Sequence, residues 1–173
     1  MPEQTPVETL REQAVSVTAE QLRLSPSEAY PAVWGVVMEY QHGGQPVVVV
    51  AMADGATSLY FGTQSGYIGV GWLPEIREAS DHLLDLAQGW YPHAEPIDWW
   101  ETPAPGVSAF LLHGWDGRRR VLIDNSNPGQ PGTASYALFS WGHGIITLLR
   151  QRDEAGKLKP KSYAEFAAPP EAQ

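Results

Sequence analysis

Val47–Ala53 is a run of seven apolar residues, four of them consecutive valines. β-branched side chains favour extended backbone, and successive residues of a strand point to opposite faces. A strand with no polar residue on either face must be covered on both, so this run predicts a central strand of a sheet with packing on each side. Turn signals bound it. Gln41-His42-Gly43-Gly44-Gln45 precedes it and Asp54-Gly55 follows, and both suit hairpins because glycine adopts the left-handed backbone that tight hairpin turns require. Upstream, Trp34, Val36, Met38 and Tyr40 alternate with Gly35, Val37 and Glu39; downstream lies Ala56–Phe61. The three together read as an antiparallel meander, with Gly62, Gly66, Gly69 and Gly71 allowing a bulged or doubled-back extension through Tyr67-Ile68.

Helical signals flank this meander. Thr5-Pro6-Val7-Glu8 combines an N-cap, a first-turn proline and a capping-box glutamate, so a helix starts there. Val7, Leu10, Ala14, Val17 and Leu24 continue it at steps of three and four, an amphipathic stripe of roughly 18 residues. Pro74 opens a second helix through Ile76, Ala79, Leu83 and Leu86, with Gly89 placed to end it. Residues 90–106 carry Pro92, Pro96, Pro103, Pro105 and Gly106, too many breakers for regular structure. Val107–His113 and Arg118–Asp124 form a second hairpin around Gly114-Trp115-Asp116-Gly117. Thr133 caps a last helix through Leu138, Ile145 and Leu149, with Gly142 and Gly144 marking a close contact or a kink.

The order helix, three strands, helix, two strands, helix predicts an α+β domain. Its sheet is five-stranded and mainly antiparallel, with two to three packing helices. It divides into an N-terminal amphipathic helix (1–24), an α+β core (25–152) and a flexible tail (153–173) that ends in Pro169 and Pro170. This layout resembles small sheet-and-helix scaffolds of the profilin and roadblock type, although the strand count on each side of the middle helix departs from the latter and no motif ties the chain to either. What that resemblance implies is a module that works by binding proteins.

Charge excludes some partners. Twenty acidic residues against eleven basic ones give a net charge of −9, which repels phosphate backbones and anionic lipid surfaces. Residues 1–117 carry fifteen acids and three arginines; residues 118–173 carry five acids and eight bases. Neither nucleic acid nor membrane is an expected partner, and the apolar run of seven is far short of the ~20 residues that span a bilayer. The opening residues lack the basic flank and apolar centre of a secretory signal, so a cytoplasmic location is expected. There is no cysteine, which removes thiolate catalysis and Cys-ligated metals.

No set of residues assembles into a recognisable catalyst, and the chain reads as non-catalytic, without cofactor or metal. The five histidines, His42, His82, His93, His113 and His143, lack metal-ligand spacing. Glu75, Glu78, His82 and Asp85 share one helical stripe, which a solvated polar face explains as well as a cation does. Gly62–Gly71 has neither phosphate-loop pattern, and Ser65 sits one position late for a nucleophile elbow. Asp124-Asn125-Ser126-Asn127 alternates oxygen ligands but lacks the closing glutamate of a calcium loop. His113 and Ser126 lie at opposite ends of the second hairpin. Arg118-Arg119-Arg120 either meets an anion or pairs with the acidic first part, and extended geometry sends Arg119 to the opposite face.

Seven tryptophans in 173 residues are about three times average usage, more than one core requires. Trp34 and Trp141 lie within apolar elements and are expected in the core. Trp90, Tyr91, Trp99, Trp100 and Trp115 are the candidate binding residues, as interface anchors or ligand-stacking platforms. Val7, Leu10, Ala14, Val17 and Leu24 are the candidate interface stripe. The leading expectation is a protein-interaction or scaffold domain that binds a protein partner or itself as a homodimer. The alternatives are a small-molecule pocket lined by Trp90, Trp99, Trp100 and Trp115, and an acidic protein that neutralises a basic partner.

Overall fold

The computed structural model describes residues 3–62 and 65–164. Helix α1 (Pro6–Ser16) starts as its sequence dictates: Thr5 Oγ1 accepts from the Glu8 amide at 3.4 Å and the Glu8 carboxylate accepts from the Thr5 amide at 2.7 Å. It ends sooner than the apolar stripe implied. Thr18 and Gln21 make a second reciprocal cap, Thr18 N to Gln21 Oε1 at 2.9 Å and Gln21 N to Thr18 Oγ1 at 3.2 Å, which closes a separate turn. Arg23, at φ 56, then takes the left-handed backbone conformation.

The strands are β1 (Val33–His42), β2 (Gln45–Met52), β3 (Thr57–Phe61) and β4 (Ser65–Tyr67), followed by helix α2 (Pro74–Trp90). Then come β5 (Glu95–Pro96), β6 (Val107–Gly114), β7 (Gly117–Asp124), helix α3 (Ala134–Glu154) and β8 (Lys161–Ser162). They form one antiparallel sheet in the order β5-β7-β6-β1-β2-β3-β4-β8. The meander and the second hairpin meet where β1 pairs with β6, Val37 opposite Leu111. The class is α+β as expected, but among the described residues the sheet has eight strands rather than five. The three additional strands, β4, β5 and β8, hold two or three residues each, too few to display a two-residue period.

Both faces are covered. On one, α2 and α3 bury Ile76, Leu83, Leu138, Ile145 and Leu149 against Val36, Met38, Val49, Phe110 and Leu112. On the other, Val7, Ala14 and Val15 of α1 pack on Val37, Val48, Val50 and Leu111, joined by Trp34 and Tyr163. The polar-free β2 run is therefore buried on both sides, as its composition demands. Helix α3 is unbroken through its glycines. A Cβ on Gly142 would lie 2.6 Å from Met38 Sδ and 3.0 Å from Phe110 Cε1, whereas one on Gly144 would meet nothing within 4 Å. The first glycine is a close contact and neither is a kink.

Other expectations change. Helix α2 passes Gly89 and ends at Trp90, flowing into a 3₁₀ turn over Tyr91–His93. Trp141, expected in the core, is 37% exposed and lies across His82 with ring centroids 4.1 Å apart, because its position on α3 faces away from the sheet. Within the segment read as a tail, β8 pairs with β4, and Tyr163 is buried with its hydroxyl accepting from Phe61 N at 2.9 Å and donating to Phe61 O at 3.2 Å. Pro169 and Pro170 lie outside the described residues. Among those residues no helix is long and apolar enough to cross a membrane.

Candidate functional site

The sequence nominated the aromatic residues of the long loop, and the fold disperses them. Trp90 packs with the α2–α3 core and donates from Nε1 to Ala134 O at 3.3 Å. Tyr91 is buried there too, its hydroxyl donating to Gly117 O at 2.9 Å and its ring lying 4.5 Å from the Arg119 guanidinium. Trp100 and Trp115 belong to the opposite, α1-side core. A single pocket lined by Trp90, Trp99, Trp100 and Trp115 is thus not formed, because the sheet separates Trp90 from Trp100 and Trp115, and Trp99 stands in solvent. The interface stripe is likewise occupied by its own chain: Val7 and Ala14 are buried on the α1-side face, with Leu10, Val17 and Leu24 half-buried beside them.

Trp100 has a structural partner. Its Nε1 donates to Glu39 Oε2 at 2.6 Å, and Arg11 Nε reaches Glu39 Oε1 at 2.7 Å. Glu39 is 1% exposed, so a carboxylate buried on the sheet face holds both α1 and the long loop through charge-assisted hydrogen bonds. His113 and Arg118 hold the other end of α1. His113 Nε2 lies 2.9 Å from Ala14 O, which requires the proton on Nε2, and Arg118 Nη1 lies 3.4 Å from Val15 O. Arg118 also donates to Asp98 O. Stacked on Trp34 at 4.6 Å and almost fully buried, His113 is pushed down to a pKa of about 4, chiefly by desolvation.

These residues border the first of three places that bring polar or aromatic groups together. Trp34, His113, Trp115 and Arg118, with the end of α1 and Glu20, line an open groove of about 580 Å³. The second is a trio around a buried serine: Ser108 Oγ donates to Asn125 Oδ1 at 2.6 Å and lies 2.9 Å from the half-buried His143 Nε2. His143 is pressed between Tyr40 and Phe139, and burial lowers its pKa to about 4. With its proton directed to Asn125 and its side chain fully buried, Ser108 is a strut joining β6, α3 and the segment after β7 rather than an accessible nucleophile.

The third place is at the edges of the sheet, where two indoles stand in solvent. Trp72 is 67% exposed and Trp99 68%. Trp72 borders a groove of about 480 Å³ with Lys157, Lys159 and Lys161; Trp99 borders one of about 250 Å³ with Glu95, Asp98, Glu101 and Arg120. Nothing periodic marks Trp72 in the sequence. Its signal is a tryptophan set in the short Trp72-Leu73 step between Gly71 and the helix-opening Pro74, with no stripe to join.

No family model, curated protein or solved structure matches this chain. The site therefore rests on its own geometry. Of the other sequence candidates, Glu75 pairs with Arg152 and His82 stacks on Trp141, and among the described residues no group of three or more His, Asp or Glu is placed to hold a metal. Asp124 Oδ1 accepts from both Ser126 N and Ser126 Oγ, an Asx turn whose hydroxyl bond lowers the Asp124 pKa. Arg120 pairs with Glu95 at 2.7 Å, and Arg119 turns to Tyr91 O on the other face.

Proposed function

We propose that this protein is a non-catalytic protein-interaction module whose contact anchors are Trp72 and Trp99. The observation that carries the reading is the exposure of both indoles, each about two-thirds open to solvent and the most exposed large apolar side chains among the described residues, on a chain whose core is buried on two faces of a sheet. An indole left in water forgoes stabilisation that burial would give, and large rigid rings with a polar edge are the side chains most enriched at interface hot spots. The test is the pair Trp72→Ala and Trp99→Ala. Both variants should keep the wild-type unfolding free energy to within about 0.5 kcal/mol, as exposed positions do. Affinity capture from the source cells should then lose partners that wild type retains. An unchanged partner set, or a large loss of stability, refutes the assignment of these rings as anchors.

A second reading, a small-molecule site, is favoured by the groove of Trp34, His113, Trp115 and Arg118, where a guanidinium held, among the described residues, by backbone carbonyls lies beside stacked aromatic rings. An aromatic carboxylate is the ligand class that fits. It should quench tryptophan fluorescence in wild type, and Arg118→Leu should remove the response.

A further inference from the structure

We infer that copies of this chain associate head to tail, the acidic Trp99 patch of one docking on the basic Trp72 patch of the next. This rests on the reading of both indoles as contact anchors and names what they contact.

The two patches sit at opposite ends of one sheet. Trp99 follows β5, the outermost strand on one side, and Trp72 follows β4, which is bordered by β8 on the other. Seven strand spacings lie between these edges, roughly 34 Å at about 4.8 Å each. Their charges are opposite. Around Trp99, Glu95 is engaged by Arg120, while Asp98 and Glu101 enter no ion pair among the described residues. Glu101 Oε1 accepts from Trp99 Nε1 at 3.1 Å and so fixes the ring in the acidic rim. Around Trp72 the groove carries the chain's three lysines, on a protein whose overall charge is −9. Self-repulsion at that net charge opposes random association, so the one lysine-rich groove is where an acidic surface of a second copy gains most.

The two patches lie at opposite outer edges of the sheet, so each copy offers one to either side; the contact is heterologous, and repeating it builds a ring or an open chain of subunits. Each patch is small beside the ~1,200 Å² of a stable interface, so association should be weak, reversible and reduced by salt.

Analytical ultracentrifugation at low salt, up to roughly 0.5 mM protein, tests this with wild type and two blocked variants. One carries Trp72→Ala with Lys159→Ala, the other Trp99→Ala with Glu101→Ala, and circular dichroism checks that each keeps the fold. Wild type should grow in mass with concentration past the dimer, and added salt should reverse it. Each variant alone should stay monomeric. Mixed, they should form a one-to-one dimer and nothing larger, since each retains the patch the other lacks. A variant that still self-associates alone overturns the proposal, as does wild type monomeric throughout. If wild type is monomeric yet Trp72→Ala or Trp99→Ala still strips partners in the capture experiment, self-association fails and the interaction reading stands. If neither effect is seen, both fail.

Discussion

Acidification should weaken this fold through His113, and the size of the effect follows from its setting. The imidazole is neutral and desolvated between Trp34 and the end of α1, with a pKa near 4 in the folded chain against 6.5 for an ordinary histidine. Below 6.5 the unfolded chain takes up a proton that the folded chain refuses, so stability falls as pH drops from 6.5 towards 4 and levels off below that. At about pH 5 the unfolded side chain is 1.5 units below its pKa, which at ~1.36 kcal/mol per unit is a loss of about 2 kcal/mol. Carboxylates titrate over the same range, so the comparison must isolate the histidine. His113→Gln retains a donor for Ala14 O but cannot titrate. It gives up the stack on Trp34, at a cost of about 1 kcal/mol at neutral pH. Urea denaturation of both proteins at about pH 7 and pH 5 should show the variant losing about 2 kcal/mol less than wild type between the two conditions. Equal losses would refute the claim that His113 is held neutral by burial. His143 is shifted the same way but is only partly buried, so His143→Gln should recover less.

Arg11→Met leaves the buried Glu39 carboxylate with only the Trp100 N–H as a hydrogen-bond partner and should destabilise by about 3–5 kcal/mol, the usual cost of breaking a buried pair. Urea titration measures it, and a loss under 1 kcal/mol would mean that water reaches Glu39. The two glycines of α3 should respond in opposite directions in a thermal melt. Gly142→Ala drives a methyl against Met38 Sδ and Phe110 and should cost about 1–3 kcal/mol; Gly144→Ala enters open space and should gain up to about 1 kcal/mol from helix propensity.

What could be read from the sequence was what repeats locally. The valine run declared a strand covered on both faces; Thr5-Pro6-Val7-Glu8, Asp54-Gly55 and Thr133 each marked a boundary through turn or cap chemistry that depends on neighbours in sequence. What was hidden depends on partners far away. The pair of Arg11 and Glu39 joins residues 28 apart, and Ser108 meets His143 across 35, with no local pattern to announce either. The early end of α1 reflects Thr18 and Gln21 capping a new turn while His113 and Arg118 take the carbonyls that a longer helix would have used. The long loop concealed its tryptophans for a simpler reason: without a repeating period nothing in the chain says where Trp99 and Trp100 will reach, and Trp100 went to the α1-side core while Trp99 stayed in solvent; Trp90 belongs instead to the end of α2.

The attachment of α1 has a consequence for the way the molecule opens. The first helix of a domain ordinarily frays on its own, since little besides apolar contact restrains it. Here Arg11 ties it to β1, His113 to β6 and Arg118 to β7, so releasing it would break three polar links, one of them to a buried carboxylate, as well as the apolar contacts. Sub-global detachment is therefore costlier than the fraying of a helix held by apolar contact alone. In amide hydrogen exchange the inner turns of α1 should belong to the same slow cooperative unit as the central strands, which makes the N-terminal segment a clasp across both hairpins.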